Sequence, residues 1–406
     1  MYQDTIAAIS TPLGEGGIGI VRLSGEKARE IGEKLFTRPL AERRLVYGYI
    51  VDPETAETVD EVLVVFLPAP HTYTREDVIE INCHGGAVAL QRILALALRY
   101  GARAAEPGEF TLRAFLNGRI DLAQAEAVLE IVQAKTQASL RLAVEGLKGR
   151  LSTEIRAIRN DLLSVLAYLT ARIDFPEDEI EEQDALAPIR ASRQAIQKLI
   201  ATADSGMVYR YGIRTAIVGR PNVGKSSLLN RLLGENRAIV TPIPGTTRDT
   251  LEEVLNLRGV PFVLVDTAGI TQSADLVESL GIERSYRAIQ QAALVLWVLD
   301  LSEPLTQVDG RIRDLLEGRT VLAVANKSDL PPRADLGDIP FPVVHISALT
   351  GAGLLGEAQK SLEANMPDDF VTVDLSAALT ALGEITGESV TEELLETIFS
   401  RFCVGK

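Results

Sequence analysis

The hydrophobic pattern changes period twice along the chain. Up to about residue 115 it runs in short segments rich in branched and aromatic residues, separated by turn residues. TIAAIST, GIGIVRLSG, LVYGYIV, EVLVVFLPAP and DVIEINCH predict strands, and GAVALQRILALALRY predicts one strong helix. This is an α+β pattern. From Leu122 the spacing becomes helical, with Leu122, Ala125, Leu129 and Val132 on one stripe and Leu151, Ile155, Ile158, Leu162 and Leu166 on a second. Long antiparallel helices are the simplest reading. Pro176 and the acids of DFPEDEIEEQD interrupt them as a solvated connection, and ALAPIRASRQAIQKLIATAD resumes the helical pattern. At Gly212 the period switches again: RTAIVGRPNVGKSSLLNRLLG reads as strand, Gly-rich turn and helix, and apolar strands follow at FVLVD, LVLWVLD, TVLAVANK and FPVVHIS. Strands alternating with helices predict a mostly parallel sheet with crossover connections.

The pattern divides the 406 residues into an N-terminal α+β domain (1–118), a first helical part (119–211), an inserted α/β nucleotide-binding domain (212–362) and a second helical part with the C-terminal tail (363–406). Composition adds little to the fold but narrows the setting. The 46% hydrophobic residues are dispersed, no apolar run reaches the length of about 18 needed to span a bilayer, and MYQDTIAAIS has no basic region before its apolar stretch. A soluble, cytoplasmic protein with no membrane partner is expected. Cys83 and Cys403 are the only two cysteines, too few for a disulfide framework and consistent with a reducing compartment. A net charge of −15 argues against an unaided grip on a nucleic-acid backbone, so an RNA partner would need a local basic patch or a second protein.

The chemistry concentrates in the third region. GRPNVGKS has the spacing of a phosphate loop between a strand and a helix: backbone N–H groups of Asn222, Val223, Gly224, Lys225, Ser226 and Ser227 can wrap phosphates, Lys225 can reach the β and γ oxygens, and the Ser226 hydroxyl can bind Mg²⁺. GTTRD, DTAG, NKSD and SAL follow in order. Asp329 can accept from both the ring N–H and the exocyclic amine of guanine, a pair that adenine lacks, and Asn326 can serve the same edge. Lys327 would lie along the base, while Ser347, Ala348 and Leu349 would offer a backbone donor to the guanine carbonyl. Thr247 would be the second Mg²⁺ ligand, Asp266 would hold the ion through water, and Thr267, Ala268 and Gly269 would pass near the γ-phosphate. GTP or GDP is therefore the expected nucleotide. After DTAG, however, Ras-like GTPases place a glutamine that orients the attacking water, and this chain has Ile270.

With these residues in view, the chain resembles the MnmE (TrmE) family of bacterial and organellar tRNA-modification GTPases. The likeness runs through GGIGIVRLSG, EDVIEINCHGG, PGEFTLRAFLNGRIDLAQAEA, IDFPEDEI, the guanine motifs and the terminal GEITGESVTEELLETIFSRFCVGK. It implies a multidomain α+β and α/β protein: a folate-binding-like N-terminal domain that forms a homodimer, a discontinuous helical domain, and an inserted Ras-like G domain. It further implies two replacements for the glutamine. Asn222, with Thr241, Ile243 and Thr246 in a switch segment that includes Pro242, Pro244 and Gly245, resembles a K⁺ site standing where other GTPases receive an arginine finger. Glu278 matches a catalytic glutamate acting on the attacking water through another water; by residue type alone it reads equally as a surface glutamate opening a helix. Arg248, the alternative finger, sits next to Asp249 and reads as an ion-paired switch residue.

For the N-terminal domain the resemblance places Arg22, Glu80, Arg119 and the terminal Lys406 at contacts to 5-formyl- or 5,10-methylene-tetrahydrofolate, with Arg119 standing where that family also carries lysine. A carboxylate can pair a pterin edge, and basic side chains can clamp the glutamate tail. Cys403 is a candidate nucleophile toward uridine or a redox-sensitive thiol, and Gly405 with Lys406 could instead serve to bring the tail back to the folate cleft. His84 reads as a turn or packing residue, since no two of the three histidines share a ligand spacing. The implied activity is K⁺-dependent GTP hydrolysis that, with an FAD-containing MnmG (GidA) type partner, forms a carboxymethylaminomethyl or aminomethyl group on the wobble uridine of certain tRNAs. A ribosome-assembly GTPase of the Era or Der kind and a folate-dependent aminomethyl transferase with an incidental phosphate loop are the rivals. One departure stands out: where that family has a longer pair of helices, only MPDDFVTVD lies between SLEAN and LSAALTALGEITG. A missing segment is expected there rather than a natural shortening, because losing most of a helix would expose the stripe from Leu151 to Leu166.

Overall fold

The computed structural model describes residues 4–175, 183–236, 253–257, 259–265, 289–350, 352 and 398–405. The first sheet is built from β1 (Ile6–Ile9), β2 (Gly16–Ser24), β3 (Val46–Val51), β4 (Thr58–Leu67), β5 (Val78–Gly85) and the two-residue β6 (Arg103–Ala104). Its order is β3-β4-β5-β2-β1-β6, antiparallel throughout except for β1 with β6. Alternation fixes its two faces. Val21, Leu23, Val62, Val64, Ile79 and Ile81 bury against α1 (Ala28–Leu35) and α2 (Ala87–Arg99). Ile6 and Ala8 point to the other side and pack on Phe110 of α3 (Glu109–Leu116). Arg22 and Glu80 are neighbours of buried core positions on β2 and β5, so the pleat carries them to this second face. The sequence pattern predicts only α2; α1 and α3 are eight residues each, two turns whose apolar positions are too few to outweigh the surrounding strand signal.

The first helical stripe is one helix, and a second, shorter helix follows it before the long pair. α4 (Leu122–Gln133) opens with a capping box in which the Asp121 side chain accepts from Gln124 N and the Gln124 side chain accepts from Asp121 N. A new cap at Thr136 then starts α5 (Gln137–Leu147), and Val132 at the end of α4 is exposed. α6 (Arg150–Asp174) and α7 (Leu186–Tyr211) pack through Ile155, Ile158 and Leu162 against Ile189, Ala195, Ile196 and Leu199. α7 thus covers the middle of the second stripe, while Leu151 stays exposed. Residues 398–405 return to the N-terminal side, where Phe399 and Phe402 are buried with Ala114, Ile120, Leu122 and Ala125. The acidic connection at 176–182 and the segment after SLEAN lie outside the described residues.

The second sheet contains β7 (Ile213–Val218), β8 (Glu253–Leu257), β9 (Val260–Leu264), β10 (Leu294–Asp300), β11 (Val321–Asn326) and β12 (Val343–His345), in the order β12-β11-β10-β7-β9-β8. All neighbours are parallel except β8, an edge strand that pairs antiparallel with β9. Trp297 buries on one face near Ile312 and Leu316 of the region of α9 (Gln307–Leu315), and Val298 on the other near Leu228 and Leu229 of α8 (Lys225–Asn236). Both faces are covered, which explains why these strands read as continuous apolar runs. The helical and nucleotide-binding regions meet at the β8–β9 turn, where Thr136 Oγ1 donates to Gly259 O at 2.8 Å; next to it Ser139 Oγ donates to Tyr209 O at 2.7 Å and ties α5 to the end of α7.

Candidate functional site

The phosphate loop leaves β7 and enters α8, where a helix N-terminus directs unpaired N–H groups and partial positive charge at an anion. Asn222 adopts a left-handed backbone, φ 65°, as the loop turns back, and its side chain is exposed. Gly224 has φ 100°, and a Cβ there would lie 2.1 Å from the Asn326 amide nitrogen. Only glycine allows the loop to sit this close to β11. Lys225 donates from Nζ to the carbonyls of Gly219 at 2.8 Å and Arg220 at 2.7 Å, and burial pushes its pKa down to about 8. Val223 is buried, whereas Ser226 and Ser227 lie exposed on the first turn of α8. Among the described residues no three His, Cys, Asp or Glu side chains cluster as a metal cage. The Ser226 hydroxyl is a hard oxygen donor, which suits a Mg²⁺ ion that keeps waters and takes its other ligands from phosphate.

On the base side Asn326 and Ala348 are bonded to each other. Asn326 is 2% exposed; its Nδ2 donates to Val223 O at 2.8 Å and its Oδ1 accepts from Ala348 N at 2.9 Å. The side chain thus braces the phosphate loop against the SAL segment. The Ala348 N–H takes part in this brace, and the Ser347 N–H donates to Ala352 O. Asp329 and Leu349 are exposed at the same end of the sheet. Lys327 takes a left-handed backbone, φ 64°, and ion-pairs with Asp300. Asp300 has no place in any motif, and a charged residue closing the buried strand LVLWVLD was the available signal. The remaining expected positions, residues 241–247, 266–269, Arg248 and Glu278, lie outside the described residues.

A second cluster forms on the N-terminal sheet. Arg22 and Glu80 are cross-strand partners joined by an Arg22 Nε to Glu80 Oε1 bond of 2.8 Å, and the Arg22 guanidinium lies 5.7 Å from the Phe110 ring centre. Arg119 stacks 4.6 Å from the ring centre of Tyr73, which packs against Phe110. The tail reaches this place: Gly405 O accepts from Ser10 Oγ at 3.2 Å and from Arg22 Nη1 at 3.4 Å, and Val404 bridges to Pro107. Three of the four expected folate residues therefore share one face with two aromatic rings, and Lys406 lies outside the described residues. Cys403 is exposed beside them. Cys83 is buried, which raises its thiol to about 11. His84 is neither packed nor in a turn: it is an exposed residue of β5 whose ring bonds Asp60 at 2.7 Å, a contact that raises its pKa.

A phosphate loop at the C-terminal edge of a parallel sheet, cross-braced to guanine-type motifs, defines a protein of the P-loop class. Residues 5–119 match the description "GTP-binding protein TrmE N-terminus" and residues 122–403 match "MnmE helical domain". Proteins called tRNA modification GTPase MnmE are 46% identical in Thermoanaerobacter sp. strain X514, over all of both chains, and 48% identical in Chloroflexus aurantiacus, again over all of both. The Geobacillus kaustophilus protein of that name is 46% identical over 99% of each chain. The chain belongs to the MnmE family. Its alignment with the Thermoanaerobacter relative runs over 460 positions against 406 residues here, so that relative carries positions with no counterpart in this chain. Among the described residues no helix is long and apolar enough to cross a membrane.

Proposed function

We propose that this chain is a homodimeric, K⁺-dependent GTP hydrolase that acts in tRNA modification, using a folate-carried one-carbon unit and an FAD-containing MnmG-type partner to form a carboxymethylaminomethyl or aminomethyl group on the wobble uridine. The observation that carries the nucleotide half is the Asn326 brace, which fixes the phosphate loop and the SAL segment as one rigid unit. Full-length kinship with proteins named tRNA modification GTPase supplies the substrate class. The Arg22, Glu80 and Gly405 contacts support a folate cleft closed by the chain's own tail.

In this reading Lys225 exchanges its two carbonyl partners for phosphate oxygens. Ser226 and Thr247 would hold Mg²⁺, which neutralises charge on the β and γ oxygens. Asn222, Thr241, Ile243 and Thr246 would hold K⁺, which supplies fixed positive charge in a cleft closed by G-domain pairing. Glu278 positions the attacking water through a second water. Arg22 and Arg119, with Lys406, clamp the folate carboxylates, and Glu80 pairs the pterin edge. Cys403 is free to approach uridine. Hydrolysis opens and closes the paired G domains, and the Thr136–Gly259 bond carries that motion toward the helices.

Reconstitution with the FAD protein, methylene-tetrahydrofolate, an amine donor and unmodified tRNA should add the expected mass to the wobble uridine. Normal GTP turnover with no modification would favour the ribosome-assembly regulator instead.

A further inference from the structure

The turn that leaves β10 belongs to no nucleotide motif, yet it is bonded to both sides of the nucleotide site. Leu301 N donates to Asn326 O at 2.9 Å, and its own carbonyl accepts from Arg333 N at 2.8 Å beyond the NKSD segment. Glu303 holds the phosphate-loop residue Arg220 at 2.8 Å. At the head of this turn stands Asp300, 3% exposed, with Oδ1 accepting from Ser302 N at 2.9 Å and Ser302 Oγ at 2.6 Å and Oδ2 paired with Lys327 Nζ. Burial alone would raise this carboxyl, but the hydrogen bonds from Lys327 and Ser302 outweigh it and keep the group below the ordinary carboxylate range.

We infer that Asp300 is a positioning residue for guanine-nucleotide binding: its carboxylate, locked by Ser302, fixes the Lys327 side chain where the base is to lie. The inference rests on the guanine-nucleotide reading above. Lysine is the residue that most needs such help, because its four-carbon stem has many rotamers and freezing one costs binding energy. The left-handed backbone at Lys327 sets the direction of the stem, and Asp300 fixes its end. An ordinary ion pair closing two strand ends would use the same atoms, so the test must separate position from stability.

The test is a double-mutant cycle read with mant-GDP on the full chain. Asp300→Asn should weaken mant-GDP binding about tenfold, the loss expected for one charge-assisted contact. In a Lys327→Met background the same change should alter affinity less than about twofold, because the group it positions is gone. Asp300→Glu should recover part of the affinity. Equal losses in both backgrounds, or a loss matched by a fall in the melting temperature of the nucleotide-free protein, would overturn the inference in favour of a structural pair. If the unmutated chain binds mant-ADP as well as mant-GDP, the guanine reading itself fails and the inference falls with it.

Discussion

Lys225 shows how one side chain ties loop geometry to pH. In the folded chain its ammonium rests on two backbone carbonyls, and burial brings its pKa to about 8. Phosphate favours the charged form, so the bound lysine titrates higher than the free one. GDP affinity should be full below pH 8 and fall as pH rises through 8, by up to about tenfold per unit until the bound lysine also titrates. Fluorescence titrations between pH 7 and 9.5 check this, and a flat profile would contradict it. Residue types at this site were legible from motif spacing alone; side-chain direction was not. NKSD names Asn326 but cannot say that its amide turns inward to Val223 and Ala348. Asp300 escaped because its partner is brought near by two parallel strands, a relation that linear spacing does not encode.

At the scale of elements, the N-terminal sheet is tied to α3 by a buried charge network. Arg113, fully buried, pairs with Asp4 at 2.7 Å, Glu109 at 3.0 Å and Glu76 at 3.3 Å. Arg113→Met leaves Asp4 and Glu109 with Arg103 as their one cation and removes the cation from Glu76, and should cost about 2–3 kcal/mol by urea denaturation. A change within about 0.5 kcal/mol would show that the network adds nothing. The sign with pH is set by Asp4 and Glu109. Burial raises both, and the arginine hydrogen bonds lower them further than burial lifts them. Their stabilisation is therefore present above the ordinary carboxylate range and lost as pH falls through their lowered values. Strands with clear alternation and long helices were readable from sequence. The short α1 and α3, the edge strand β8 and the break at Thr136 were not, because each is held by tertiary partners. Thr136 caps α5 while also bonding Gly259 across to the second sheet.

For the whole molecule, the first and last described segments meet on one face of the first sheet. Gly405 has φ 98°, and a Cβ there would lie 2.6 Å from Ile9 O, so Gly405→Ala should displace the tail and weaken 5-formyl-tetrahydrofolate binding at least about tenfold. Unchanged folate affinity by calorimetry would separate the tail from the cleft. The domain order was legible because the hydrophobic period changes sharply near Leu122 and Gly212; the return of the tail to β1 and β2 was expected through the family resemblance alone, since nothing local in FCVGK names its partner.

In the proposed site a K⁺ ion stands where other GTPases receive an arginine finger, with Ile270 in the place of the glutamine and Glu278 acting on the water. GTP turnover by the full chain in matched KCl and NaCl tests it most directly. Hydrolysis should be clearly faster in K⁺, because the smaller Na⁺ fits the same oxygen ligands poorly. Equal rates in the two salts would contradict it.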